Sequence, residues 1–524
     1  MTDPAALGPT WASVVTAAMA RAGDRVAFRD PDGVRTHRES LTRVARLAHA
    51  LAERGVGAGD RVALVVDVGA DAVEAYLAVG LTGATAVQVN DRLHAAEIAE
   101  ILDRVAPRAV VHTPAHAERL EPLLRGSGAV VVGLGGVGRL DLDAQQAVGS
   151  GSTELLQVAV PAGTPAIVGF TSGTTGRPKG VVHTHENLAR IIRHMPAHDG
   201  LRWGSRCGFT GTLAFAAGIW GVVLPHLYVG GELSWMAGLP PEEWVDRMVR
   251  ERTSFTYAPT PLMGAFAAEV RRRPEVLDHL DGVLHSGSLA TREATADLVD
   301  AVGHRYVETY GMTETGAPVT ATVPDDWREG AEADDPFSSA GRATSIARVL
   351  VLDERGAELA AGEVGEVVVE SETLFAGYLD DPAQTADAVR LGPSGERRLH
   401  TGDLGSLDGA GHLYVRGRSK DMIVTGGMNV YPAEVERVLA QAEGVADVAV
   451  FAVADERWGE TVAAAVVAAP GASVDLAALD GFVRERLAGY KKPTRVRVLP
   501  ELPRNASLKV RKDVLRREFE ETST

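Results

Sequence analysis

One run of the sequence has the residue types needed to hold a chain of phosphates: Phe170-Thr171-Ser172-Gly173-Thr174-Thr175-Gly176-Arg177-Pro178-Lys179-Gly180. Hydroxyls and backbone N–H groups donate to phosphate oxygens, glycines allow approach without a Cβ, and a lysine adds charge. The apolar residues 166–170 lead into it as a strand. It is not a P-loop, which ends in Gly-Lys-Ser/Thr, because here Pro178 precedes Lys179 and Gly180 follows it. A Gly/Ser/Thr run can also be plain surface loop, but one order of residue types kept over ten positions favours the phosphate reading.

Four further stretches follow. They are Tyr310-Gly311-Met312-Thr313-Glu314; Thr401-Gly402-Asp403; Gly417-Arg418-Ser419-Lys420-Asp421, continuing to Gly426-Gly427; and Pro503-Arg504-Asn505-Ala506-Ser507-Leu508-Lys509. In this order the five resemble the motifs of the adenylate-forming (ANL) superfamily, which includes acyl-CoA synthetases, aryl-CoA ligases, peptide-synthetase adenylation domains and luciferases. The resemblance implies an α/β fold, with a large N-terminal domain of two α/β (βαβ) subdomains plus a β-rich section, and a small mobile α+β C-terminal domain. It also implies attack of a carboxylate on the α-phosphate of ATP, release of pyrophosphate, and transfer of the acyl group from its adenylate to the thiol of coenzyme A. Two anions meet in that first step, so the site must supply positive charge and alignment more than proton transfer.

Carried over residue by residue, the resemblance gives Thr171, Ser172, Gly173, Thr174, Thr175, Gly176 and Lys179 the ATP phosphates, and Thr171 a catalytic part. Tyr310 stacks on adenine, with Gly311, Met312, Thr313 and Ser288 beside the nucleotide. Glu314 holds Mg²⁺, a hard cation that takes carboxylate and phosphate oxygens. Asp403 accepts from the ribose hydroxyls, and Arg418 reaches phosphate or ribose. Lys509 is the catalytic lysine that bridges the substrate carboxylate and the α-phosphate; Leu508 stands where the family usually has Gly. Lys420 is the hinge about which the small domain turns between the two half-reactions, and Gly426 and Gly427 line a tunnel for pantetheine. Phe215, Ala217 and Gly218, with Gly287, Ser288, Leu289, Pro318 and Val319, form the acid pocket. An aromatic at 215 is closer to the aryl-CoA ligases than to fatty-acyl members, so an aryl or cyclic acid is expected, with short to medium aliphatic acids next.

Ordinary structural roles compete with these. Glu314 could be a capping-box acid at a helix start, Tyr310 a strand-end core aromatic, Asp403 a turn residue after Gly402, and Gly426-Gly427 a β-turn. The six basic residues between 504 and 517, against the single acid Asp513, could be a solvated face or could meet CoA phosphates. Two other functions are carried forward: a stand-alone adenylating enzyme that passes the acyl group to a carrier protein or another nucleophile, and an inactive nucleotide-binding homologue.

The elements that must position these residues show in the hydrophobic pattern. Strands at 61–68, 85–90 and 108–112 alternate with helices at 70–81 and 94–105, and a second set has strands at 254–258, 282–285 and 305–308 with helices at 261–272 and 291–302. That rhythm predicts βαβ units around parallel sheets. Runs at 348–353 and 364–370, with Glu354-Arg355-Gly356 and Gly362 between them, predict a β-rich section. A helix at 431–440, strands at 447–452 and 461–468, a helix at 476–487 and a strand at 495–498 predict a separate α+β domain. The expected division is 1–417, a hinge at 418–420, and 421–524.

Composition bounds the partners. The 524 residues carry 53 Lys+Arg and 70 Asp+Glu, a net charge of −17 without long blocks of one sign. Neither nucleic acid nor an anionic membrane is an expected general partner. Cys207 is the only cysteine, which excludes an internal disulfide and fits a reducing compartment, the cytoplasm by default. The first 20 residues lack a basic region ahead of an apolar stretch, so no signal peptide is expected, and no apolar run approaches the roughly 20 residues of a membrane span. A free-standing enzyme is expected, with its oligomeric state, a homodimer included, left open.

Overall fold

Fully buried apolar runs such as residues 62–65 have no polar face, which suits the interior of a parallel sheet covered on both sides. The computed structural model describes residues 7–30, 33–135, 141–171, 178–288, 290–328, 330–455, 457–505 and 509–521. Two large sheets carry most of it. In the first, strands Pro165–Thr171, Thr85–Gln88, Arg61–Val65, Ala109–His112, Val130–Gly133 and Leu142–Asp143 lie parallel in that order. Beyond Pro165–Thr171 the edge turns antiparallel, with Lys179–Thr184 and then Gly377–Tyr378.

The second sheet runs Tyr306–Tyr310, Gly282–His285, Phe255–Tyr257, Arg206–Phe209, Glu232–Trp235 and Val26–Asp30, all parallel, with antiparallel strands at both edges. The two α/β parts are therefore not successive halves of the chain, because the hairpin Val26–Asp30/Gly33–Thr36 joins the second sheet. The expected helices form at Ala70–Leu81, Ala95–Val105, Met263–Arg272 and Arg292–Val302. Met263–Arg272 begins two residues later than expected, because Thr260–Leu262 closes a 3₁₀ turn around Pro261.

By contact density the chain divides into two compact units: Met1–Val349 with Val369–Leu399, and Leu350–Val368 with His400–Thr524. The β-rich section has strands Ala347–Leu352, Gly365–Ser371, Arg397–Leu407 and Leu413–Arg418; the first three each pass from one unit into the other. In the second unit, Val445–Asp455 and Gly459–Ala468 form a long antiparallel pair, and Arg495–Leu499 adds parallel to the latter. Alternate residues bury on opposite faces: Val450 and Ala452 against Val435, Leu439 and Leu479, and Ala449 and Phe451 against Leu515 and Phe519. That makes the α+β part expected for the C-terminal region. Among the described residues, no helix is long and apolar enough to cross a membrane.

Candidate active site

The phosphate-type run begins and ends on one hairpin. Thr171 closes the strand Pro165–Thr171, Lys179 opens Lys179–Thr184, and the two face each other across the antiparallel pair. Ser172, Gly173, Thr174, Thr175, Gly176 and Arg177 lie outside the described residues. Gly180 is held close to the edge: a Cβ there would stand 3.0 Å from Leu379 Cβ and 3.1 Å from Val168 Cγ1. Lys179 Nζ lies 5.1 Å from the centre of the Tyr378 ring on the next strand, a cation–π distance.

Tyr378 ties this edge to a second expected residue. Its hydroxyl donates to Glu314 Oε1 at 2.9 Å. Glu314 lies in the 3₁₀ turn Thr313–Thr315. The turn is pinned on every side: Phe375 N–H donates to Glu314 O at 2.8 Å, Thr373 Oγ1 to Thr315 O at 2.8 Å, and Trp220 Nε1 to Gly316 O at 3.0 Å. His183 Nε2 is 2.7 Å from Thr313 O, and the other ring nitrogen meets Asn187. Burial pushes the His183 imidazole below its ordinary range, with the hydrogen bonds to Thr313 and Asn187 opposing it. Glu314 is not a capping-box acid, because Thr315 Oγ1 takes the Met312 N–H at 3.0 Å and leaves the carboxylate for Tyr378. Oε1 accepts the phenol, and no hydrogen bond reaches Oε2 from the described residues. A carboxylate with one oxygen steadied and one available is a donor set that fits a hard divalent cation.

The remaining first-unit candidates gather at the carboxyl ends of the parallel strands, where ligands of open α/β sheets sit. Tyr310 ends Tyr306–Tyr310, and Val319 N–H donates to its carbonyl at 2.8 Å. Gly311 passes so close to the following turn that a Cβ would lie 3.1 Å from both Pro318 Cα and Ala317 O, which brings Tyr310-Gly311 to Pro318-Val319. Met312 and Thr313 follow directly. Gly287, at φ +86°, and Ser288 are exposed just after Gly282–His285, and Leu289 lies outside the described residues.

After Arg206–Phe209 comes half-buried Phe215, then exposed Ala217 at the start of a π-helical stretch, Ala217–Val223, a widened geometry frequent at functional sites. Gly218 admits no side chain, since a Cβ would stand 1.8 Å from Thr212 O.

A chain of hydrogen bonds runs from buried Glu308 and His285 out to exposed Ser288 at these ends. Ser288 Oγ is 2.6 Å from Thr260 Oγ1, which is 2.8 Å from His285 Nε2; His285 Nδ1 lies 2.9 and 2.8 Å from the two oxygens of Glu308. Tyr306 donates its hydroxyl to Glu308 as well, and burial together with that carboxylate pushes the phenol far above its ordinary range.

Asp67, Asp91 and His116 also converge, their ligand-type atoms within 4.8 Å of one another. Arg119 donates to His116 Nδ1 at 3.0 Å, so the ring proton is on Nε2, which donates to Asp67 Oδ1 at 3.1 Å. Both His116 ring nitrogens are used by protein partners, which leaves the imidazole no lone pair for a cation in this arrangement, while Asp91 Oδ1 is buried with no hydrogen-bond partner among the described residues.

In the second unit, Asp403 sits within the strand Arg397–Leu407, 5% exposed, facing Arg418 on the paired strand. It is a strand residue rather than a turn residue. Arg418 Nε is 2.9 Å from Asp403 Oδ1, and its Nη1 donates to Thr401 O at 3.1 Å. Lys420 is exposed in the 3₁₀ turn Ser419–Asp421. Gly426 and Gly427, at φ +56° and +79°, form the two-residue turn of the hairpin Ile423–Thr425/Met428–Val430, a conformation glycine adopts without strain. Gly426 also lies against exposed Trp458: its N–H donates to Trp458 O at 3.0 Å, and a Cβ would meet the indole at 2.7 Å. Lys509 is exposed, in a loop closed by Asn505 N–H to Lys509 O at 2.9 Å and Lys509 N–H to Asn505 Oδ1 at 3.0 Å; Ala506, Ser507 and Leu508 lie outside the described residues. The neighbouring basic residues are paired, Arg504 with Asp447, Lys512 with Glu436 and Arg511 with Asp513.

Tyr378, His183, Trp220, Thr260, His285 and Trp458 are absent from the set read off the sequence. Tyr378, His183, Thr260 and Trp458 each meet an expected residue across a long loop or between strands distant in the chain, while Trp220 and His285 reach the site through Gly316 and Thr260, and no local spacing announces such contacts.

Comparison with known proteins supplies the context. Residues 15–379 match the family model of the AMP-binding enzymes, and residues 434–509 match that of the AMP-binding enzyme C-terminal domain. A feruloyl-CoA synthase from an Amycolatopsis species is 34% identical over 484 residues, 92% of this chain and 94% of that protein. A 4-chlorobenzoate–CoA ligase from an Arthrobacter species is 32% identical over 509 residues, 94% and 92% of the two. Among solved structures, the amide bond synthetase McbA of Marinactinospora thermotolerans superposes with a TM-score of 0.86 at 28% identity, covering 97% of this chain and all of that one.

Proposed function

The chain belongs to the AMP-binding, adenylate-forming enzyme family, and from that premise we propose that it activates an aryl or cyclic carboxylic acid with ATP and transfers the acyl group to coenzyme A. The observation that carries this reading is the Lys179–Tyr378–Glu314 constellation, whose lysine opens the strand that closes the phosphate-type run. A cation and a carboxylate joined through one ring beside that run support the reading, since a triphosphate and its counter-ion need both.

In this reading Thr171, Lys179 and the donors of residues 172–177 hold the ATP phosphates. Lys179 adds positive charge where the attacking carboxylate and the phosphates repel one another. Glu314 would hold Mg²⁺, which when bound neutralises phosphate charge. Tyr378 keeps one Glu314 oxygen in place, so the carboxylate need not be ordered anew for each turnover. Tyr310 and Gly311, with Met312, Thr313 and Ser288, face adenine. Asp403 takes the ribose hydroxyls, and Arg418 orients that carboxylate from the neighbouring strand.

Lys509 brings a second cation to the α-phosphate in the adenylation half-reaction. Lys420, within the hinge 418–420, is the pivot that withdraws it for thioester formation. Gly426 and Gly427, with Trp458 beside them, line the way for the pantetheine thiol. Phe215, Ala217, Gly218, Gly287, Ser288, Pro318 and Val319 surround the acid. The small residues beside Phe215 support a flat ring, and two similar proteins named for feruloyl and 4-chlorobenzoyl thioesters support the same choice.

A second acceptor is kept because one structural relative is an amide bond synthetase: the adenylate could pass to an amine or a carrier-protein thiol. An acid panel with ATP, followed by pyrophosphate release and mass spectrometry with CoA, with an amine, with a carrier protein and with no acceptor, tests both readings.

A further inference from the structure

Three neighbouring parallel strands send polar side chains into one line that surfaces at Ser288. Glu308 lies on Tyr306–Tyr310, His285 ends Gly282–His285, and Thr260 follows Phe255–Tyr257. His285 is fully buried, with both ring nitrogens engaged at 2.8–2.9 Å. Glu308 accepts the Tyr306 hydroxyl, its backbone N–H donates to Thr322 Oγ1 at 2.8 Å, and Thr309 Oγ1 donates to His285 O at 3.1 Å, so the pair cannot swing away. Tyr257 donates to Ser286 O at 3.0 Å and fixes the loop from which Ser288 projects.

With His285 neutral, the direction of each hydrogen bond follows. A carboxylate only accepts, so His285 Nδ1 carries the ring proton. In the neutral ring Nε2 has a lone pair and accepts from the Thr260 hydroxyl. Thr260 Oγ1 in turn accepts from Ser288, whose own proton is thereby committed inward. What the exposed Ser288 oxygen then offers a ligand is lone pairs.

We infer that the Glu308–His285–Thr260 chain polarises Ser288 into a hydrogen-bond acceptor that selects ligands bearing an O–H or N–H donor at that point. Two sources carry this chemistry: a hydroxyl or amino substituent on the acid's ring, and the exocyclic amine of adenine. Thr260 and His285 act through Ser288 and are positioning residues. The inference rests on the proposed adenylating function for its ligands, and its test is direct binding rather than turnover. Failure to form an adenylate would count against the function alone.

Calorimetry measures the affinity of wild-type protein and variants for 2-, 3- and 4-hydroxybenzoate against the matching methoxybenzoates, and for ATP against inosine triphosphate, in which an oxo group replaces the amine. Thr260→Val keeps the shape and removes the relay hydroxyl, whereas Thr260→Ser restores it. A hydrogen bond of ordinary net strength predicts a wild-type donor preference of about five- to tenfold in one arm. That preference should collapse in Thr260→Val and Ser288→Ala and return in Thr260→Ser, with melting temperatures checking that each variant folds. A change confined to the benzoates assigns the contact to the acid, and one confined to the nucleotides assigns it to adenine. No donor preference in either arm, a preference for the methoxy or oxo ligand, or a preference that survives both Thr260→Val and Ser288→Ala overturns the inference.

Discussion

Tyr378 donates a 2.9 Å hydrogen bond to Glu314, 64 residues away in the chain, while its ring lies 5.1 Å from the Lys179 ammonium. One side chain thus links Lys179, at the end of the phosphate-type run, to Glu314. Tyr378→Phe keeps the ring beside Lys179 and removes the hydroxyl that bonds Glu314. The expected result is a roughly fivefold rise in the Mg²⁺ concentration for half-maximal pyrophosphate release, from about 1 kcal/mol of lost hydrogen bond, with little change in the KM of the acid. A Mg²⁺ dependence identical to wild type would remove Tyr378 from the site.

Lys509→Ala should abolish acid-dependent pyrophosphate release and leave thioester formation from a supplied acyl-adenylate largely intact, because the lysine serves one half-reaction. Rapid-quench assays of the two halves separate them. Equal loss of both would contradict that role.

Ala217 is exposed at the start of the π-helical stretch, so Ala217→Leu adds volume without opening a cavity. It should raise the KM of the best acid at least tenfold more than that of ATP. The neighbouring Gly218→Ala is a folding test instead: its Cβ would overlap the Thr212 carbonyl, and about 3 kcal/mol of stability should be lost, read as a lower melting temperature. An unchanged acid preference in Ala217→Leu would put the acid elsewhere.

Stability should fall on mild acidification. Burial pushes His37, His185 and His226 down to about 4 from an ordinary value of 6.5. Between those values the unfolded chain binds protons that the folded chain does not, so stability decreases as pH drops from 6.5 towards 4 and is insensitive to these groups above 6.5. Melting temperatures from pH 7.5 to 4.5 check this. A flat profile across that range would mean that these imidazoles are solvated.

The strands and helices around the site are legible because their residues repeat locally: short apolar runs such as Arg61–Val65 and Gly282–His285, and apolar helix faces between them. The strand that leads into the phosphate-type run is legible for the same reason, and Gly426-Gly427 is legible as a turn pair. The edge position of Gly377–Tyr378 is not, because the pairing of Val181 with Tyr378 joins segments whose spacing carries no period. The π-helical turn at Ala217–Val223 reads only as an apolar run, and Glu308 and His285 only as strand ends. Their partnership comes from the order of strands in the sheet, which tertiary packing decides.

The most direct test of the central claim is mass spectrometry of purified protein incubated with ATP, Mg²⁺ and a panel of aryl and aliphatic acids, with and without coenzyme A. Adenylate and pyrophosphate should appear with an aryl or cyclic acid, and adding coenzyme A should convert the adenylate to its thioester with AMP. Pyrophosphate released with no acid in the panel, or an adenylate that accumulates unchanged in the presence of coenzyme A, would contradict the account.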